Sequence, residues 1–193
     1  MTIFDLLFIV VFFAVIVMLV LAGVAALRGR RARAIAISRW LGIVAGLYLG
    51  IVILVSLISP RRELQVGDDQ CWDDWCLTVT NVRRTPAENA IRYMVTIRIS
   101  SCARRVAQRG RGTQVYLVDD RGRRYDPVPD PDAVPFDILL QPQEAVSTTR
   151  AFEIPADAHD PVLIATHGEG FPGWFIIGDT GSLFHKKTVV LLE

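Results

Sequence analysis

Three cysteines are the residues of this sequence with the most evident chemistry, and all follow position 70. Only four residues separate Cys71 from Cys76, so a disulfide between them would close a small loop in an oxidising compartment. With that pairing Cys102 is free, and we expect it to be buried in the loop after a long strand. Pairing of Cys102 with Cys71 or Cys76 across strands is the alternative.

The cysteine pattern does not indicate a metal or haem site. A structural zinc site needs C-x-x-C pairs or histidines at ligand spacing, and a c-type haem needs C-x-x-C-H. Neither arrangement occurs in the sequence. We therefore predict no metal and no cofactor.

No constellation of side chains indicates catalysis. The three histidines are scattered, and we expect them to be surface or capping residues: His159, His167 and His185. Ser182 is close to His185 in sequence, but neither a nucleophile elbow nor an oxyanion motif accompanies them. The sequence thus predicts that the protein is not an enzyme and has no catalytic residues.

Carboxylates gather in a proline-rich segment, where calcium is the metal to consider. They are Asp126, Asp130, Asp132 and Asp137. The EF-hand spacing is absent, and the intervening prolines indicate a stiff, extended chain. A solvated or partner-facing loop is the preferred interpretation, with calcium binding as the alternative.

Arginines and tryptophans mark candidate contact surfaces. Arg104, Arg105, Arg109 and Arg111 form a basic patch suited to lipid headgroups or to carboxylates of a partner, with plain solvation as the alternative. A second group of arginines follows at 121–124. Trp72 and Trp75, in the short cysteine loop, could anchor a partner, because tryptophan and arginine dominate interface hot spots. Packing in the core is the alternative for both indoles.

The N-terminal third predicts a transmembrane hairpin. Residues 6–27 are uncharged and mostly apolar, and residues 40–58 form a second apolar run. A helix over the first run would be roughly 33 Å long, enough to cross a bilayer. We predict helices at about 4–27 and 40–58, joined by an Arg-rich loop at 28–39. A cleaved signal peptide is the alternative for the first run, although its start lacks basic residues and carries Asp5.

Charge distribution sets the expected orientation of this hairpin. The loop contains five arginines and no acid: Arg28, Arg30, Arg31, Arg33 and Arg39. By the positive-inside rule this loop is cytoplasmic. The N-terminus and residues 61–193 would then lie on the periplasmic or extracellular side of a bacterial cytoplasmic membrane.

A glycine stripe distinguishes the second apolar run. Gly42, Gly46 and Gly50 recur every four residues, which removes side chains from one helix face and lets another helix approach closely. We expect the stripe to pack against the first helix of the hairpin. Docking onto the helices of a partner protein is the alternative.

After Pro60 the pattern becomes that of an all-β domain. In residues 91–100 the apolar side chains alternate with polar ones, which is typical of a half-buried strand. Similar short runs, separated by Gly, Pro and Asp turns, occur at 77–82, 114–118, 146–154, 162–165, 174–177 and 188–192. We predict one antiparallel, immunoglobulin-like β-sandwich over residues 61–193.

Residues 64–166 also resemble a known protein family. The segments VGDDQCWDDWCLTVTNV, VYLVDDRGRRYDP and LLQPQEAVSTTRAFEIP, in that order around the long strand, resemble a family of bacterial membrane-anchored, extracytoplasmic immunoglobulin-like sandwiches, mostly of unassigned function. Gln143 takes the place of the glycine in the family's L-x-P-G-E turn. The resemblance implies a fold, an outer location and a binding or scaffolding role, and it implies no catalytic residue.

These features lead to one preferred function and one alternative. Residues 61–193 carry 16 basic and 19 acidic side chains, and this balance argues against nucleic-acid binding. We expect a non-enzymatic accessory subunit whose partners are the bilayer and the integral membrane proteins of a larger complex. Respiratory or photosynthetic electron-transport assemblies are examples of such hosts. The alternative is a cell-envelope module that binds a ligand or senses it.

Overall fold

The structure is a computed structural model that describes residues 3–72, 74–168 and 172–192. The chain forms two compact units. One consists of Met1–Pro60 and Gly170–Lys186, and the other of Arg61–Glu169 and Lys187–Glu193. Residues 61–193 are predicted to form one sandwich domain, whereas Gly170–Lys186 is grouped with the first unit.

Two long helices make up most of the first unit. Helix α1 spans Ile3–Leu27 and α2 spans Arg31–Ile58, and both are long and apolar enough to cross a membrane. Gly29 turns the chain between them with a φ of 73°. Helix α2 begins nine residues before the predicted start at Trp40. The difference arises because residues 31–39 contain alanines and no glycine or proline, so arginines alone do not stop the helix.

The helices pack along a seam of small and medium side chains. In α1 the buried and half-buried positions include residues at intervals of three and four, as in a coiled coil: Phe8, Val11, Val15, Met18, Ala22 and Ala25. In α2 the fully buried residues are Val52 and Ser56. Most other apolar side chains of both helices are exposed, which suits a lipid environment.

Residues 172–186 complete the first unit. The predicted strand at 174–177 is wrong, because Gly173–Phe175 forms a short 3-10 helix after Pro172. The phenolic hydroxyl of Tyr48 on α2 donates a hydrogen bond to the carbonyl oxygen of Phe175 at 2.7 Å. This bond joins the segment to the helix pair.

The second unit is a β-sandwich built from eleven described strands. Their bounds are β1 Glu63–Leu64, β2 Asp69–Trp72, β3 Trp75–Pro86, β4 Ala90–Ser101, β5 Gln108–Arg109, β6 Gln114–Val118, β7 Arg124–Tyr125, β8 Leu139–Leu140, β9 Ala145–Pro155, β10 Val162–Thr166 and β11 Val189–Leu191. One sheet has the order β2-β3-β4-β9, and the other has the order β1-β11-β10-β6-β7. Strands β5 and β8 form a separate short pair.

The strand order is that of an immunoglobulin-like sandwich. Strands β3, β4 and β9 take the places of A, B and E in one sheet, and β6, β10 and β11 take those of C, F and G in the other. Among the described strands, the pairing of β1 with β11 is parallel and the other pairings are antiparallel. The predicted fold class is confirmed, with this one parallel pair as a difference.

The core lies between the two larger sheets. On β4 the predicted inward face is confirmed, since Tyr93, Val95, Ile97 and Ile99 are all buried. They belong to a core cluster with Leu77, Phe152, Leu117 and Leu163, which come from both sheets. The same alternation puts the odd-numbered residues of β4 inside and most even-numbered ones outside.

Candidate functional site

The three cysteines lie together on the four-stranded sheet. Strand register puts Cys71 of β2 directly opposite Cys76 of β3, and a disulfide joins them. The sulfur of Cys102 lies 3.5 Å from the sulfur of Cys76. Cys102 is exposed, so the expectation that it is buried is wrong. The reason is that β4 ends at Ser101 and Cys102 continues on the face of the sheet that carries Cys76, opposite the core.

The backbone explains why Cys102 approaches Cys76. Cys76 pairs with Ser100 across β3 and β4, and the amide of Cys102 donates to the carbonyl of Asp74 at 2.7 Å. This hydrogen bond continues the β3–β4 pairing beyond Ser101. Cys102 is therefore a diagonal neighbour of Cys76 on the same face, within side-chain reach. Sequence reasoning left this proximity undecided because it depends on strand register.

The two tryptophans of the cysteine loop pack inward. Trp75 is only 2% exposed, and Trp72 is half-buried against the same core. Their ring centroids lie 5.4 Å apart. The proposal that Trp75 is an exposed anchor is therefore wrong, because the residue alternates with Cys76 and takes the inner face of β3. Asp73, between them in sequence, lies outside the described residues.

His167 joins this aromatic group. Its ring stacks on Trp75 at 5.3 Å and lies 5.6 Å from Trp72. The hydroxyl of Thr113 lies 3.1 Å from Nδ1 of His167. The histidine is thus half-buried in a structural cluster rather than simply a surface residue, which no local sequence pattern indicated.

Two arginines of the predicted basic patch lie beside the exposed thiol. Arg104 and Arg105, with Asp74 and Cys102, line a cavity of about 320 Å³. Arg104, Arg105, Arg109 and Arg111 are all exposed. None of them forms an ion pair with a residue in the described part of the chain. These guanidinium groups are available for phosphate or carboxylate groups from outside.

The second group of arginines is engaged within the domain. Arg121 and Arg123 both contact the carboxylate of Asp157, at 3.0 Å and 3.1 Å. Arg124 pairs with Asp126 at 2.7 Å. The two arginine groups therefore differ in role, although both consist of arginines a few positions apart in the sequence.

Asp119 is the central acceptor of this internal network. It receives hydrogen bonds from Arg123 Nε at 2.6 Å and from the hydroxyl of Tyr125 at 3.0 Å, besides the amides of Arg121 and Arg123. Burial opposes ionisation, but the hydrogen bonds and the charge of Arg123 outweigh it and lower the pKa of Asp119 to about 2. The carboxylate stabilises the β6–β7 turn.

The acidic segment shows no metal-like cluster. Within residues 3–72, 74–168 and 172–192, no three His, Cys, Asp or Glu side chains gather as metal ligands would. Asp126 is paired with Arg124, and Asp130 accepts a hydrogen bond from the amide of Asp132 at 3.0 Å. Asp126 and Asp130 thus serve local structure.

The glycine stripe of α2 faces away from α1. A Cβ atom added to Gly42, Gly46 or Gly50 would meet nothing within 4 Å outside its own helix. All three glycines are exposed. The expectation that the stripe packs within the hairpin is wrong, because α2 uses the face that carries Val52 and Ser56 instead.

Comparisons with known proteins give similarities of fold alone. No protein-family model matches the chain, and no curated protein is detectably similar to it. Solved structures that are similar in fold include three bacterial proteins. An uncharacterized beta-sandwich protein from Clostridium difficile 630 has 11% identity and a TM-score of 0.43, over 70% of this chain and 97% of that one. The secreted protein MPT63 from Mycobacterium tuberculosis has 11% identity and a TM-score of 0.44, over 57% and 92%. The yjhA protein from Bacillus subtilis has 13% identity and a TM-score of 0.43, over 67% and 99%. The description of this chain as an immunoglobulin-like sandwich rests on its own strand order and core.

Proposed function

We propose that this protein is a non-enzymatic accessory subunit that packs beside integral membrane proteins in a larger bacterial membrane complex. Helices α1 and α2 anchor it in the cytoplasmic membrane, and the sandwich braces the complex on the periplasmic or extracellular side. This role is consistent with the family of membrane-anchored extracytoplasmic sandwiches that the sequence resembles. Electron-transport assemblies, respiratory or photosynthetic, are the first hosts to test.

The main evidence for this proposal is the open glycine stripe of α2. Gly42, Gly46 and Gly50 lie along one exposed face of α2 with open space beyond each Cα. Small residues at this spacing let two helix backbones approach closely, and van der Waals packing drives helix association in lipid. Since the hairpin itself does not use the face, a helix of another protein is the occupant that we propose.

The free basic patch supports a contact outside the membrane as well. The four arginines at 104–111 are exposed and make no ion pair with described residues, whereas those at 121–124 do. Desolvated guanidinium groups bind carboxylates in a defined geometry. We therefore propose that Arg104, Arg105, Arg109 and Arg111 face acidic side chains of the partner complex or its lipid headgroups.

A single matched pair of variants tests the proposal. The full-length protein is isolated from native membranes in mild detergent, and the proteins bound to it are identified by mass spectrometry. Gly46→Leu fills the stripe and is expected to remove stoichiometric integral membrane partners. Gly23→Leu, at an exposed glycine of α1 with nothing within 4 Å, makes the same change elsewhere and is expected to retain them.

Two outcomes would contradict this function. Recovery of the wild-type chain alone would favour a free-standing ligand-binding or sensing module of the cell envelope. Alternatively, Gly46→Leu and Gly23→Leu could retain the same partners in the same amounts. That result would show that the stripe takes no part in assembly.

A further inference from the structure

We propose that Cys71, Cys76 and Cys102 form a thiol–disulfide exchange site. In this site the Cys102 thiolate attacks the sulfur of Cys76 and takes the place of Cys71 in the disulfide. The proposal does not depend on the function proposed above, because all three residues belong to the sandwich unit.

The sulfurs of Cys102 and Cys76 lie close enough for the attack. Cys76 Sγ is bonded to Cys71 and lies 3.5 Å from Cys102 Sγ, which is van der Waals contact for two sulfur atoms. Cys102 is exposed and borders the cavity of about 320 Å³, so solvent can exchange its proton. Nucleophile and disulfide are therefore already together.

Strand order makes Cys76 the shared partner. Strand β3, which carries Cys76, lies between β2 with Cys71 and β4, whose end leads into Cys102. Neighbouring strands are about 4.8 Å apart, so roughly 10 Å separates Cys71 from the Cys102 side of the sheet. A direct bond between Cys71 and Cys102 is too long for this arrangement. Only two pairings are available, and both use Cys76.

The exchange balances without an external oxidant or reductant. Cys102 loses its proton to water, and its thiolate forms a bond to Cys76 Sγ as the bond between Cys76 and Cys71 breaks. Cys71 leaves as a thiolate and takes a proton from water. One disulfide and one thiol are present before and after the step, so no net electrons are transferred.

Exchange would change how the edge of the sheet is held. Strand β2 is at the edge of its sheet, and the disulfide of Cys71 ties it to β3. After exchange, β2 would keep its backbone pairing with β3 and the side-chain contact of Asp69 with Thr78, but not the covalent bond. The free thiol would then be on β2 rather than at the end of β4. The site would therefore switch β2 between a state tied covalently to β3 and a state held by hydrogen bonds alone.

Two cysteine variants test this site in the full-length protein. Each is purified in detergent, oxidised under identical conditions, and its thiols are counted by mass after alkylation. Cys71→Ser is expected to form the Cys76–Cys102 disulfide and to retain no free thiol. Cys76→Ser is the matched control and is expected to retain two free thiols, because its remaining cysteines are too far apart. Two free thiols in Cys71→Ser, or a linked dimer instead of an internal bond, would overturn the proposal.

The wild-type protein supplies a second measurement that does not depend on the folding of a variant. It is incubated at mildly alkaline pH, where exchange is fast, and alkylated slowly before peptide mapping. We expect slow alkylation to label both Cys71 and Cys102. In a sample whose thiols are first trapped in acid and then alkylated, most of the label should be on one of the two. Label confined to Cys102 after long alkaline incubation would overturn the proposal.

A different observation carries a second inference, which rests on the proposal that α2 spans the membrane. We infer that residues 172–186 enter the outer leaflet beside α2 as a re-entrant segment, in contact with lipid acyl chains. The evidence is the hydrogen bond from Tyr48 to the carbonyl oxygen of Phe175, which is internal to the first unit.

The position of Tyr48 determines the depth of this segment. Tyr48 lies ten residues before the end of α2 at Ile58, inside the apolar run 40–58. At 1.5 Å per residue this is about 15 Å from the outer end of the helix. A group hydrogen-bonded to Tyr48 is therefore well inside the hydrocarbon layer if α2 crosses it.

The segment has the surface and the internal bonding for that environment. Trp174 is 47% exposed and Phe184 is 68% exposed, so large apolar side chains face outward. Several of its amides donate to carbonyl oxygens within the segment, for example Leu183 N to Trp174 O at 3.2 Å and Ile176 N to Gly173 O at 3.1 Å. The acid Asp179 accepts from the amide of Gly181 at 2.7 Å. These bonds satisfy part of the backbone polar groups, which non-helical backbone must pair at membrane depth.

Quenching of tryptophan fluorescence tests this inference. The full-length protein is reconstituted in vesicles whose lipids are brominated on their acyl chains, and the quenched fraction is compared among the wild type, Trp174→Phe and Trp40→Phe. We expect each substitution to remove part of the quenching. Quenching that is lost in Trp40→Phe but unchanged in Trp174→Phe would overturn the re-entrant segment and leave the membrane anchor intact. No quenching in any of the three proteins would contradict the membrane anchor itself.

Discussion

Gly110 lies directly against the indole ring of Trp75. A Cβ atom at Gly110 would be 2.4 Å from Cζ2 and 2.5 Å from Cε2 of that ring, and 2.9 Å from the carbonyl oxygen of Phe136. Trp75 is buried in the core and stacked on His167, so its ring has little room to move. The backbone at position 110 can therefore come this close to Trp75 only if the residue is glycine.

Gly110→Ala is expected to destabilise the sandwich. Overpacking of a filled core costs about 1–3 kcal/mol, because neighbouring side chains must leave their rotamers. Chemical unfolding of the full-length protein in detergent, followed by near-UV circular dichroism, measures the loss. The neighbouring exposed variant Arg109→Ala is the control and is expected to stay within about 0.5 kcal/mol of the wild type. Equal stability of the two variants would contradict the close contact.

Asp119 is expected to make the sandwich sensitive to acid. Its pKa in the folded protein is about 2, compared with an ordinary value of 3.8. A lowered pKa stabilises the folded state above pH 3.8, and this contribution is lost as the pH falls towards 2. The melting temperature should therefore fall over this interval.

Asp119→Asn is the variant that isolates this effect. We expect it to have a lower melting temperature at neutral pH and a smaller further decrease in acid than the wild type. Asp137→Asn removes the same charge from an exposed side chain and should retain the acid dependence of the wild type. If Asp119→Asn and the wild type lose stability in parallel between pH 4 and 2, the network around Asp119 is not the cause.

Gln143 adopts a left-handed backbone conformation, with a φ of 65°, in the turn before β9. Such a conformation costs non-glycine residues about 1–2 kcal/mol, and β-branched residues tolerate it least. Its side chain offsets part of this cost by donating to the carbonyl of Ala103 at 3.2 Å. We expect Gln143→Gly to be near neutral and Gln143→Val to be at least about 1 kcal/mol less stable than Gln143→Gly. Gln141→Val, before Pro142 in the same turn, should change stability little, and the same unfolding assay compares all three.

Arg150 holds the acidic, proline-rich segment onto β9. It is 9% exposed, donates to the carbonyl of Val134 at 2.6 Å and to the hydroxyl of Thr148 at 2.7 Å, and lies 4.6 Å above the ring of Phe136. Burial lowers the pKa of its guanidinium group. This arginine therefore links the segment to the sheet by specific hydrogen bonds.

Arg150→Ala should lower the free energy of unfolding by about 2–3 kcal/mol. The substitution removes hydrogen bonds from a charged donor and leaves the acceptors on Val134 and Thr148 without that donor. Arg92→Ala is the matched control on the neighbouring strand. Arg92 pairs with Glu153 at 2.8 Å, but both side chains are about half exposed, so its loss should cost less than about 1 kcal/mol. Thermal unfolding of both variants measures the difference, and similar losses would argue against a specific role of Arg150.

Local pattern determined much of the architecture. The alternation in residues 91–100 identified the inner face of β4, because successive side chains of a strand point to opposite sides. Uninterrupted apolar runs likewise predicted α1 and most of α2. The close spacing of Cys71 and Cys76 is also a local feature, and it brought the two sulfurs into one hairpin.

Errors arose where a local pattern had two structural solutions. The apolar run at 174–177 is compatible with a strand, yet glycines and Pro172 around it allow a short helix that contacts α2 instead. The arginines before Trp40 do not show whether a helix has begun. The glycine stripe specifies a smooth face without specifying what covers it.

The sequence by itself determined the helix pair, the strand ladder, the turns and the charge of each region, because these depend on residues a few positions apart. Tertiary structure decided that Cys102 contacts Cys76, that His167 stacks on Trp75 and that residues 172–186 join α2. Those contacts join residues that are distant along the chain. They depend on strand register and on which segments pack together, and no short-range periodicity encodes either one.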